Sequence, residues 1–283
     1  MTQILLVDNG SSRPESTLQL RRLAAALGER LATPVYPVSL QHADKVPPKA
    51  LDGVPADTFE PFLCRALQEG QRDFLAVPLF FGPSRALTQF IPEMVSDLAA
   101  RLGPLHLRIA PELCPLPAGE PRLADILADQ ARATATAEGI PLRRVVLVDH
   151  GSPLPEVSAV RQWLAERLRH RLGDQVELRQ AVMERRPGAA YDFNGRHLSD
   201  TLAEMAREDP QTPVILALLF LAPGRHAGAG GDIATIAAAA QAAHPGFRAH
   251  PSPLVGEHPA LIGILADRAI QGRVDAVTAP AAP

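Results

Sequence analysis

Short apolar runs alternate along this chain with longer segments in which Leu and Ala return every three or four positions. A run of four to eight apolar residues bounded by turn residues predicts a buried strand, and a three-to-four spacing predicts an amphipathic helix. Strands are expected at Gln3–Val7, Pro34–Ser39, Phe74–Phe81 and His106–Ala110, then at Val145–Val148, Gln175–Val182, Val214–Leu221 and Phe247–Ala249. Helical patterns lie between them, among others at Glu15–Leu31, Glu156–Arg171 and Leu198–Glu208. Strand and helix in alternation is the signature of βαβ units, and strands without polar alternation are those of a parallel sheet covered on both faces. The expected class is therefore α/β, with four parallel strands in each half of the chain.

The two halves repeat one another. LVDNGS at Leu6–Ser11 returns as LVDHGS at Leu147–Ser152, an offset of 141 residues, and VPLFF at Val77–Phe81 returns as ALLFL at Ala217–Leu221, an offset of 140. Close offsets for two separate motifs indicate an internal duplication. The proline- and glycine-rich PLPAGEP at Pro115–Pro121 begins the connection, and the Ala-rich stretch Arg122–Ala137 reads as a linking helix. The expected organisation is a first lobe over 1–118, a linker helix over 119–139, a second lobe over 140–273 and a disordered Ala/Pro tail over 274–283.

Composition narrows the function classes. With 283 residues there is room for two domains, each with a real core. The 28 Lys and Arg against 31 Asp and Glu give a net charge of -3, so no global positive field recruits nucleic acid or an anionic membrane. The two cysteines, Cys64 and Cys114, form no CxxC pattern, which argues against a disulfide framework and a thiolate zinc site. The N-terminus reaches Asp8 and Asn9 after a very short apolar run and has no basic leader region, so it is expected to be a first strand and not a signal peptide. No apolar stretch is long enough to span a bilayer. A reducing cytoplasmic setting fits these features.

Ligands of open parallel sheets bind at the carboxyl ends of the strands, so the loops there carry the candidates. In the second half these are His150 in VDHGSP, Glu184 in AVMERRPG and His226 in LFLAPGRHAGAGGDI. Two imidazoles and a carboxylate converging from neighbouring strand ends suit a divalent first-row metal. A lone strand-end histidine is more often a hydrogen-bonded structural group, but the repeat bears on that choice. Asn9 and Ala86 occupy the matching positions of the first half, while Asp8, Gly10 and Ser11 persist as Asp149, Gly151 and Ser152. The fold therefore needs the Asp-x-Gly-Ser turn and does not need the imidazoles. Glu184 is weaker, since a Glu in a charged loop is usually just solvated, and spacing places its counterpart at His42 or Ala43.

The glycine-dense loop from Gly224 to Asp232 opens a helix near Ile233, and its amides could hold an anion or simply serve turns that need positive φ. It fits neither GK[ST] nor GxGxxG, and Asp232 reads as the helix N-cap. Arg185, Arg186, Arg196 and Arg225 cluster around the same loops. Guanidinium groups pair bidentately with carboxylates, so the cluster suits a substrate with several carboxylates, whereas each arginine alone reads as a solvated surface residue.

The HGS turn at His150–Ser152, the LFLAPGRHAGAGGDI stretch at Leu219–Ile233 and the VMERRPGAAYDFN segment at Val182–Asn194 together resemble the class II tetrapyrrole chelatases of the sirohydrochlorin chelatase type, also called CbiX-like. The resemblance covers nearly the whole chain, closely in the second half and loosely in the first. It implies two similar flavodoxin-like α/β lobes with one active site, in the second lobe. It also implies His150, His226 and Glu184 as metal-binding and catalytic residues; on that reading the cluster of Arg185, Arg186, Arg196 and Arg225, with Gly224, is expected to contact the tetrapyrrole and neutralise some of its carboxylates. The implied reaction is insertion of Co²⁺ or Fe²⁺, with Ni²⁺ as a further candidate, into sirohydrochlorin in cobalamin or siroheme biosynthesis. No permanently bound cofactor is implied, and a fused pair of lobes makes an obligate dimer unnecessary, leaving a monomer or weak homodimer. The rival reading is a metal or tetrapyrrole carrier that binds without turnover.

Overall fold

The computed structural model describes residues 2–274. The tail expected at 274–283 lies outside the described residues, apart from Val274 at the end of the last helix. The strands of the first sheet are β1 (Gln3–Asp8), β2 (Val35–Ser39), β3 (Asp73–Pro78) and β4 (His106–Ile109); those of the second are β5 (Arg144–Asp149), β6 (Glu177–Val182), β7 (Val214–Leu218) and β8 (Ala249–Leu254). The helices are α1 (Pro14–Leu31), α2 (Phe59–Gln68), α3 (Ile91–Leu102), α4 (Pro121–Glu138), α5 (Pro155–Leu172), α6 (Leu198–Glu208), α7 (Asp232–Ala243) and α8 (Leu261–Val274).

Both sheets are parallel throughout and share one topology, β2-β1-β3-β4 and β6-β5-β7-β8. The α/β class of two four-stranded parallel sheets expected from the hydrophobic pattern is what the chain adopts. The central strands β1, β5 and β7 are buried along almost their whole length, which is why they read as unbroken apolar runs. Pro37 lies in β2 and Pro251 and Pro253 in β8, all edge strands, where a missing amide donor leaves no ladder bond unmade. Strand β8 runs past the expected Phe247–Ala249 because its Pro and Ser residues hide an edge strand from a search for apolar runs.

Each unit has its own core. One comprises residues 2–118 and 262–274, and the other comprises Gly119–Leu261. The stretch expected to be a linker helix is therefore part of the second unit's core. Leu123, Ala124, Leu127 and Ala131 of α4 are fully buried, Gln130 donates to the Leu254 carbonyl at 2.6 Å, and Gly119 leaves room for Trp163, whose Cζ2 would stand 2.0 Å from any Cβ at that position. The last helix belongs to the first unit: Arg268 donates to the carbonyls of Glu112 (2.9 Å) and Leu113 (3.1 Å), and Gly272 lies against Ala110. An Ala-rich helix between two repeats looks like a connector in sequence, but its continuous buried face makes it a core element. No described helix is long and apolar enough to cross a membrane.

Candidate metal site

The site is built at the carboxyl end of the second sheet. Beyond the last paired residues of β5 and β6 the backbone ladder continues, with Met183 N–H donating to Asp149 O (3.0 Å) and Glu184 N–H to His150 O (2.9 Å). This pairing sets Glu184 beside His150. Gly151 makes the approach possible: its φ is +87°, and a Cβ there would fall 1.9 Å from the Glu184 carbonyl oxygen. The turn is tied down by Asp149, whose Oδ1 accepts from the Gly151 amide (3.1 Å) and from the buried Arg161 guanidinium (2.7 Å). Asn194 accepts from Ser152 N–H (2.9 Å) and the Ser158 hydroxyl (3.0 Å), and donates to Ser152 O (2.8 Å). Arg161 also donates to the Asn194 carbonyl (2.6 Å), joining the clamps into one network. Burial pushes the Asp149 carboxyl above its ordinary pKa, with Arg161 acting against that shift.

His226 follows β7. The loop after it turns back on itself, because Asp232 N–H donates to Arg225 O (3.2 Å) and Ile233 N–H to His226 O (3.1 Å). Gly231 allows this close return, since a Cβ there would lie 2.6 Å from His226 O. The amides of Gly224, Gly228 and Gly231 likewise donate to carbonyls within the loop. Those five amides are thus used to shape the loop, and the anion cradle expected around Gly224 is not available from them. The N-cap of α7 is Gly231, not Asp232, whose carboxylate instead faces the His226 ring.

The three expected ligands meet. His226 Nε2 lies 3.2 Å from His150 Nε2 and 3.5 Å from Glu184 Oε1, and one ligand atom from each residue fits within a 4.8 Å cluster. The imidazoles stand nearly perpendicular, at 80°, with centroids 4.6 Å apart. His226 is 7% exposed, whereas His150 and Glu184 face solvent. Burial, and next the neighbouring His150, lower the His226 pKa below its ordinary 6.5, with Glu184 and Asp232 opposing. Its neutral, ligating form is therefore the one present near pH 7.

The first sheet carries the same frame without the ligands. Leu40 N–H donates to Asp8 O (2.9 Å) and Gln41 N–H to Asn9 O (3.3 Å), and a Cβ on Gly10 (φ +83°) would meet Gln41 O at 1.8 Å. Gln41, and not His42 or Ala43, is thus the structural counterpart of Glu184. Leu79 N–H to Val7 O corresponds to Leu219 N–H to Val148 O, and Ala86 follows Leu79 by seven residues as His226 follows Leu219.

The CbiX family model matches residues 3–134 and again residues 144–272, one match for each copy of this frame. The chain belongs to the CbiX family. Solved structures share the CbiX fold over nearly full length. SirB from Bacillus subtilis with Fe3+ is 16% identical with a TM-score of 0.67, covering 98% of each chain. The sirohydrochlorin chelatase SirB from Bacillus subtilis subspecies spizizenii in complex with cobalt is 17% identical with a TM-score of 0.65, covering 97% of each. CbiX, described as the terminal enzyme for biosynthesis of siroheme in denitrifying bacteria, is 19% identical with a TM-score of 0.57, covering 98% of this chain and 100% of that one. No curated protein sequence gives a significant match.

The arginines expected around this CbiX site divide into two groups. Arg225 stands at the candidate metal site itself, beside a depression of about 290 Å³ also lined by Glu184, His226 and Asp232. Its guanidinium lies 3.2 Å from Asp232 and 3.7 Å from Glu184. Arg185, Arg186 and Arg196 line a separate cavity of about 490 Å³ at the start of α6. There Arg185 is held by Gly195 O (2.9 Å) and Asp192 (3.1 Å), Arg196 by Glu204, and Arg186 rests over the Tyr191 ring at 5.8 Å. Arg161 and Asn194 are buried organisers that sequence inspection passes over. One signal was available, since α1 and α5 align from their first prolines and put Leu20 where Arg161 stands.

Proposed function

We propose that this CbiX-family chain is a sirohydrochlorin chelatase inserting Co²⁺ or Fe²⁺ into the macrocycle, with one active site, on the second unit. The observation that carries the proposal is the separation of 3.2 Å between the Nε2 atoms of His150 and His226, with Glu184 beside them. Two imidazole nitrogens each about 2.0–2.1 Å from a shared metal, at that separation, subtend about 100°, an angle compatible with four- or five-coordinate geometry. Solved relatives described with cobalt and with Fe3+ support a metal in this type of site.

Insertion requires a partly desolvated metal and the loss of two pyrrole protons. His226, His150 and Glu184 replace part of the metal's water shell, and the exposed side of the cluster leaves the metal open to a macrocycle. As the metal passes to the ring nitrogens, the two vacated Nε2 atoms can each accept one pyrrole proton, so that one divalent cation is exchanged for two protons. The carboxylates of sirohydrochlorin are met by Arg186, with Arg185 and Arg196 beside it, while Arg225 balances the acidic groups of the metal pocket.

The test is an absorbance assay of sirohydrochlorin in excess over protein, with Co²⁺, Fe²⁺ and Ni²⁺ in turn. The expected result is many turnovers per chain with cobalt or iron. A spectral change that stops at one tetrapyrrole per chain contradicts the chelatase reading and favours a carrier.

A further inference from the structure

We propose that Asp232 is a positioning residue that fixes the tautomer of His226, holding the proton on Nδ1 so that the Nε2 lone pair faces His150 and Glu184. Asp232 Oδ2 lies 2.9 Å from His226 Nδ1, off the alignment of a full hydrogen bond, and this buried nitrogen has no hydrogen-bond partner among the described residues, so the carboxylate is the acceptor poised to take its proton. A neutral imidazole has one donor and one acceptor nitrogen, and a carboxylate only accepts. A carboxylate that close favours the proton on Nδ1 and leaves Nε2 as the ligating atom. With His226 only 7% exposed, water competes poorly for that proton.

The carboxylate is itself held in place. Asp232 is the first residue of α7, next to Gly231, and Arg225 Nε approaches the same Oδ2 at 3.2 Å. The helix N-terminus adds favourable partial charge. No side-chain cap closes α7, so the orientation of Asp232 serves the ring and not the helix amides. The first half supplies an internal contrast: Pro92 stands six residues past Ala86, where Asp232 stands six past His226, so ring and carboxylate are absent together. A carboxylate on the distal nitrogen of a metal-ligating histidine orients the ring and strengthens it as a ligand, and removing such a partner typically lowers metal affinity about 10–100-fold.

This inference rests on the metal-site part of the proposed function and not on turnover. Long-range ¹⁵N–¹H correlation spectra of the full-length metal-free protein, assigned with His226→Gln, should show His226 as the Nδ1–H tautomer. Co²⁺ titration should then give about 10–100-fold weaker binding for Asp232→Ala. Asp232→Asn, which keeps an acceptor oxygen facing Nδ1, should keep the tautomer and bind Co²⁺ more tightly than Asp232→Ala. A wild-type His226 protonated on Nε2 overturns the proposal, as do equal losses in the Ala and Asn variants, which would signify lost charge alone. If Asp232→Ala does not fold, the wild-type tautomer and the Asn variant decide. A chain that binds Co²⁺ in this pattern but never metallates sirohydrochlorin would refute the chelatase reading and leave Asp232's role standing.

Discussion

The two sheets of this chain are the same scaffold with different side chains at the strand ends. Both have the strand order edge-centre-centre-edge, an Asp-x-Gly-Ser turn, and a glycine without which the neighbouring carbonyl could not approach. Asn9, Gln41, Ala86 and Leu20 in the first unit stand where His150, Glu184, His226 and Arg161 stand in the second. Three of the four changes remove a candidate ligand, and the fourth removes the guanidinium that steadies the turn beneath His150. The fold tolerates either set, so the second set is explained by chemistry. Asp8 and Asp149, common to both, belong to the turn.

The largest expected contrast is in activity. His150→Ala and His226→Ala should each lower kcat/KM for metallation by about 10²–10⁴ while Asn9→Ala changes little, as initial rates of the absorbance assay would show. Equal effects in the two units would dissolve the distinction drawn between them. Next comes Arg161→Leu, which copies Leu20 into the second unit. It leaves Asp149 buried without its guanidinium and should destabilise that unit by about 3–5 kcal/mol. Urea unfolding followed by the fluorescence of Trp163, the chain's one tryptophan, reads this unit, and a loss under about 1 kcal/mol would show that the network is dispensable.

The first unit answers differently to pH. Burial raises the Asp8 pKa from 3.8 to about 6, against opposing hydrogen bonds from Ser39 and the Gly10 amide. Between about pH 4 and 6 the folded state retains a proton that the unfolded state has released, so unfolding becomes easier as pH rises and levels off above about 6. The loss is up to about 3 kcal/mol at 1.36 kcal/mol per pKa unit. Hydrogen exchange of the β1 amides should report that slope, and Asp8→Asn should flatten it; a β1 whose protection is unchanged across this window would contradict the shift. The smallest effect is on substrate capture. Arg186→Ala should raise KM for sirohydrochlorin several-fold with kcat nearly constant, and added salt should have a similar effect on the wild type.

Much of this was legible in the chain. Unbroken apolar runs gave the central strands, and the offset repeat exposed which strand-end groups the fold does not require. His150, Glu184 and His226 could be chosen because the topology brings three parallel strand ends to one edge. What sequence could not show depends on side-chain direction and close approach. Asp232 is one residue too far along to cap α7 and instead meets His226, Gln41 replaces the spacing-based partners of Glu184, and Arg161 looks like any other arginine on a charged helix. The Ala-rich α4 shows the same limit, since the sequence leaves open which sheet buries its apolar face.

The central claim is that His150, Glu184 and His226 share one metal ion. Cobalt X-ray absorption on the stoichiometric Co²⁺ complex tests it most directly. One ion per chain with two imidazoles in its coordination shell, reduced to one imidazole in either His→Ala variant, is the predicted result. A shell without imidazole, or a spectrum indifferent to both substitutions, would contradict it.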